Sequence, residues 1–67
     1  MYILTDEPKS SGALIAGAFD AIDQAYGTEP FSKDQGVKAI TTVMAVGTEE
    51  ADQLFNSLVW NEHISEV

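Results

Sequence analysis

The side chains that could do covalent, metal or proton-transfer chemistry are few and poorly placed for it. The one histidine, His63, follows Glu62 near the C-terminus, and the chain has no cysteine. A single imidazole without thiolates makes a poor transition-metal site, and a histidine at a helix end is read instead as a favourable contact with the negative end of the helix dipole. The acids do not follow the alternating D-x-D-x-D-G order of a calcium loop. Ser10, Ser11, Ser32, Ser57 and Ser65 lack a G-x-S-x-G setting, and the first three suit caps and loops better. Asp20 with Asp23, and Glu49 with Asp52, stand three residues apart and share a helix face, but exposed acids there have no partner with which to divide acid and base roles. Neither G-x-x-x-x-G-K-S/T nor G-x-G-x-x-G, the phosphate-cradling patterns, is present. The expectation is a non-enzymatic protein that needs no metal and no cofactor.

Charge is the more informative chemistry. Eleven Asp or Glu against Lys9, Lys33 and Lys38, with no arginine, give a net charge of −8 over 67 residues. Such a balance repels phosphate, and the missing arginines remove the bidentate contacts that specific DNA recognition favours. A hydrophobic fraction of 45% is still ordinary for a folded domain, so the acids do not by themselves imply disorder. Without disulfides, stability must come from packing, and a chain this short buries only roughly 60% of the surface its unfolded form exposes. Met1-Tyr2-Ile3-Leu4 is too short for a signal-peptide core, and no apolar run approaches the ~20 residues of a membrane span. A soluble, cytoplasmic single domain over residues 1–67 is expected.

The elements that must position these groups follow from periodicity and punctuation. Met1 to Thr5 reads as a short strand ended by Asp6-Glu7-Pro8. Ser10 and Ser11 supply caps before Ala13, and apolar residues then recur at Leu14, Ile15, Ala18, Phe19, Ile22, Ala25 and Tyr26, a helix that Gly27 ends. Ala13, Gly17 and Ala21 form a row of small residues, for which packing within the monomer is favoured over a dimer seam. Ser32-Lys33-Asp34-Gln35 matches a capping box, with Phe31 able to staple onto the first turn of a second helix whose inward face is Val37, Ile40, Val43 and Met44. Gly47 breaks the pattern, and Thr48-Glu49-Glu50 opens a third helix with a hydroxyl cap and acids at the positive end of the dipole. Its stripe is Ala51, Leu54, Phe55, Leu58 and Val59, and Asn61-Glu62-His63 ends it. Ile64 to Val67 can then pair with Tyr2 to Leu4, and Tyr2 and Phe55 are expected in the core.

The fold class expected is therefore α+β, mainly α: a three-helix domain with a two-stranded terminal sheet. The short turn at Gly47-Thr48 has helix-turn-helix geometry, and the order of strand, three helices and strand resembles a truncated winged helix in topology. A winged-helix DNA reader would set the start of the third helix in the major groove, and here that start is Thr48-Glu49-Glu50-Ala51-Asp52. Carboxylates at that position disfavour DNA binding. The leading functional reading is a small acidic regulatory or adaptor module acting through protein contact, with homodimer formation a further expectation.

The competing reading is a nucleic-acid mimic whose acids, Glu49, Glu50, Asp52, Glu62, Glu66, Asp20 and Asp23, occupy a basic groove. Solvated helix faces that serve solubility alone explain the same acids more simply. Trp60 flanks the stripe of the third helix; packing under the terminal strands is favoured for it over exposure as an interface anchor. Glu49, Glu50, Asp52 and Trp60 are the residues expected to touch a partner.

Overall fold

The computed structural model describes residues 1–6 and 12–67. Its elements run β1 (Tyr2–Leu4), α1 (Ala13–Tyr26), α2 (Lys33–Met44), α3 (Thr48–Trp60) and β2 (Ile64–Glu66), the expected mainly α arrangement of three helices and a two-stranded sheet. No helix among the described residues is long and apolar enough to cross a membrane.

β1 and β2 pair antiparallel, with Tyr2 opposite Glu66, Ile3 opposite Ser65 and Leu4 opposite Ile64. Two bonds close the ends of this ladder: Val67 N–H donates to the Met1 carbonyl and Thr5 N–H to that of His63, both at 2.9 Å. The other edge of β1 is also engaged. Tyr2 exchanges both backbone bonds with Phe31, at 2.7 and 2.9 Å, so β1 lies between β2 and the residue that leads into α2. Three distant stretches of chain are thereby tied at Tyr2.

α1 begins at Gly12, which holds the cap position with no side-chain bond, so the serine caps expected before Ala13 do not occupy that position. Ser10 and Ser11, like the turn expected at Glu7-Pro8, lie outside the described residues. Gly27 ends α1 at φ 58°, where glycine has no steric penalty, and its N–H returns to the Asp23 carbonyl at 2.9 Å. Gly17 faces α2, since a β-carbon there would stand 3.2 Å from Met44 Cε. At Gly17 the small-residue row serves packing within the chain.

The capping box of α2 forms in full. Gln35 N–H donates to Ser32 Oγ at 3.1 Å and Ser32 N–H to Gln35 Oε1 at 2.9 Å, satisfying two otherwise orphaned donors. The staple partner of Phe31 would be Gly36, which has no side chain to offer. Phe31 instead stacks on Tyr26, with ring centroids 5.6 Å apart, and meets the edge of Phe55 at 6.4 Å, while Tyr2 meets Phe55 at 5.2 Å. These four rings form one chain through the core, in which Phe31, Phe55, Ile22, Ile40, Leu58 and Ile64 are fully buried. Val43, expected inward, is about half exposed: it lines an open groove whose α1 side is Ala21, Gln24, Ala25 and Tyr26.

α2 ends with Ala45 in the left-handed region, at φ 55° and ψ 43°, and Ala45, Val46 and Gly47 make the whole connection to α3. Gly47 is the extended cap of α3, and Thr48 is already helical and makes no capping bond, which corrects the expected hydroxyl cap. At the other end the carbonyl of Leu58 accepts from His63 N–H at 2.9 Å and that of Val59 from Glu62 N–H at 3.1 Å. With Glu62 at φ 64°, these two bonds form a Schellman motif in which a glutamate occupies the usual glycine position.

Candidate contact surface on the third helix

α3 packs its inner side through Ala51, Leu54, Phe55 and Leu58. At about 100° per residue, Trp60 lies nine positions beyond Ala51 and thus about two and a half turns on, on the opposite side of the helix. It is 86% exposed, the most exposed of the large apolar side chains. The favoured core placement of Trp60 is therefore wrong. The strands do not reach over it, because the turn at Asn61 to His63 redirects the chain first and β2 packs Ile64, not Trp60, into the core.

Helical spacing of four, three and four residues sets Glu49, Gln53, Asn56 and Trp60 in one solvent-facing row. Glu49 and Trp60 mark its ends, separated by about 16 Å along the axis at the usual rise. Glu50 and Asp52 flank Glu49 on either side, about 100° and 60° around the helix from it. All four residues expected to meet a partner thus lie on the outer half of α3, and Glu49 and Trp60 share its central line.

Their surroundings differ. Asp52 bridges α3 to α2: its Oδ1 lies 3.1 Å from Lys33 Nζ, and its Oδ2 accepts from Asn56 Nδ2 at 3.3 Å. Both ion-pair partners are nearly half exposed, so the pair stabilises the fold by no more than about 1 kcal/mol. It is the ion pair found among the described residues. Glu49 and Glu50 are exposed in the first turn, where the helix dipole favours their charge. The outer row therefore presents carboxylate, amide, amide and indole, a set suited to hydrogen bonding, cation attraction and aromatic contact.

His63 has a place that its position at the helix end did not suggest. Its Nδ1 donates to the Asp6 carbonyl at 2.8 Å, and its ring meets Phe19 edge-on at a centroid distance of 6.5 Å. Thr5 Oγ1 donates to the Glu62 carbonyl at 2.6 Å beside it. The imidazole thus fastens the exit of β1 to the turn after α3. No group of three or more His, Asp or Glu side chains among the described residues could hold a metal.

A second surface feature escaped sequence reasoning. An open groove of about 450 Å³ runs between α1 and α2, with Ala21, Ala25, Ala39 and Val43 among its walls and Gln24 and Lys38 at its margin. The signal for it lay in the width of the α1 stripe, which includes the exposed Ala25. No family model, curated protein or solved structure matches the chain.

Proposed function

We propose that this protein is a small, acidic, non-catalytic regulatory or adaptor module of the cytoplasm that acts by protein contact through the outer face of α3. The observation that carries the reading is the exposure of Trp60, 86%, at the end of a polar row that starts at Glu49. Keeping a large indole in water has no folding benefit, whereas tryptophan is enriched among residues that dominate binding energy. Glu49 and Glu50 add a negative end to the same face, which favours a partner carrying lysine or arginine opposite them.

The test is affinity capture from the native host with the wild-type chain, Trp60→Ala and Glu49→Gln/Glu50→Gln, each at low and high salt. A partner retained by the wild type at high salt and lost with Trp60→Ala supports the adaptor reading. Capture that is indifferent to all three substitutions removes it.

The abundance of exposed acids with a single ion pair among the described residues favours one alternative, a nucleic-acid mimic that blocks a DNA- or RNA-binding protein. Exposed opposite charges are screened over about 10 Å at 0.1 M salt, so a mimic releases its target steeply as salt rises and depends little on Trp60.

A further inference from the structure

We propose that the groove between α1 and α2 takes the Trp60 side chain of a second copy of this chain, so that copies join head to tail. The two surfaces match in size and character. Trp60 is 86% exposed, a large apolar knob held at the end of a rigid helix. The groove, about 450 Å³, owes its room to Ala21 and Ala39, buried walls with only methyl side chains, and Ala25, Thr42 and Val43 stand exposed above them. An enclosed indole buries about 150–250 Å², so this one side chain supplies most of the apolar burial in such a contact.

One chain cannot make this contact with itself. α3 turns Ala51, Leu54, Phe55 and Leu58 toward α1 and α2, and Trp60 leaves the opposite side of α3, whereas the groove is lined by α1 and α2 alone. Knob and recess are therefore different patches on different faces. Each copy offers both, so the contact is heterologous and association continues as an open chain. The inference rests on Trp60 being a contact residue, as in the function proposed above, and adds a control on it: a seated copy hides Trp60 from any other partner.

Charge points to the same occupant. Two copies each at −8 repel over most of their surfaces, yet no carboxylate lines this groove and its charged side chain is Lys38. Lys33 is held by Asp52 at 3.1 Å, while Lys38 makes no ion pair among the described residues. A free ammonium at the margin of an apolar recess is placed to lie over the face of a seated indole, a contact that operates within about 6 Å of the ring centre. The incoming α3 row carries the amides of Gln53 and Asn56 below Trp60 and an acid at its far end, Glu49, so it brings a cation no like charge to oppose it.

Sedimentation equilibrium of the pure chain, at about 0.15 M salt to screen the net repulsion, tests the proposal apart from any capture of a partner. The weight-average mass of the wild type is expected to rise with concentration without a plateau at the dimer. Trp60→Ala, Val43→Glu and Ala25→Gln are each expected to raise the dissociation constant at least about tenfold. All three positions are exposed in the monomer, and circular dichroism checks that each variant is folded. Mixing gives the decisive result: Trp60→Ala keeps the groove and Val43→Glu keeps the indole, so the two together are expected to form a one-to-one pair in which the single tryptophan shifts to the blue. A wild type that stays monomeric up to about 1 mM overturns the proposal. So does a mass that levels off at the dimer, self-association that tolerates Trp60→Ala or both groove substitutions, or a mixture that stays monomeric.

Discussion

The Phe55 ring fills the space that a side chain on Gly36 would need: a β-carbon at Gly36 would stand 2.5 Å from Phe55 Cε2 and 2.9 Å from Cδ2. Gly36 costs α2 roughly 1 kcal/mol of helix propensity relative to alanine. What it permits is close approach of α3, with Phe55 wedged between Tyr2 and Phe31. Gly36→Ala is therefore expected to lower stability by about 1–3 kcal/mol through overpacking, against the direction that propensity alone gives. Thermal or urea unfolding reads this directly, and a stabilised variant would show that Phe55 moves aside at little cost.

Ala45 and Glu62 hold positive φ angles of 55° and 64°, each just after a helix. A side chain there meets its own backbone, at a cost of about 1–2 kcal/mol that glycine does not incur. Glycine also gives the unfolded chain more freedom, which returns about 0.4–1 kcal/mol. Ala45→Gly and Glu62→Gly are each expected to stabilise by the difference, about 0.5–1 kcal/mol. The two sites lie at opposite ends of α3, so their effects should add in the double variant. Unfolding midpoints that fall in either single variant would count against the assigned backbone geometry.

Ser32 and Thr48 both precede or begin helices and both looked like caps, but they differ in what their hydroxyls do. Ser32 Oγ accepts from Gln35 N–H at 3.1 Å, whereas Thr48 is inside α3 and Gly47 holds its cap. Ser32→Ala is expected to cost about 1 kcal/mol, and Thr48→Ala close to nothing or a slight gain, since alanine is the better helix former. Equal losses in the two variants would place a cap on Thr48 after all.

These contrasts show where local sequence logic holds. The capping box was legible because its two groups stand within four residues of continuous chain, and the burial of Ala51, Leu54, Phe55 and Leu58 because period alone sets that face, although Val59, read into the same stripe, is exposed at its edge. The pairing of the terminal strands was legible from their apolar content. Gly47 and Thr48 were ambiguous because extended glycine and threonine both open helices, and one residue of shift satisfies the same pattern. Val43 and Leu14 were misplaced inward because periodicity marks an apolar face without saying how much of it a neighbouring helix covers. Trp60 failed for a related reason: its apolar type outweighed its angle, although the angle from Ala51 already set it on the far side. The α1–α2 groove depends on the spacing of two helices far apart in sequence, which no local pattern encodes.

Trp60 is the sole tryptophan, so its fluorescence reports on its own environment. At 86% exposure the free chain is expected to emit as an indole in water, with full access to a soluble quencher, and to show little spectral shift on unfolding. Trp60→Ala should leave the unfolding free energy within about 0.5 kcal/mol, as for substitutions outside packed or hydrogen-bonded sites. The same indole should become shielded and blue-shifted when a partner covers the outer face of α3. A blue-shifted free chain, or a loss of stability on the scale of about 3–5 kcal/mol expected for a buried tryptophan, would return Trp60 to the core and remove the main support for a contact surface on α3.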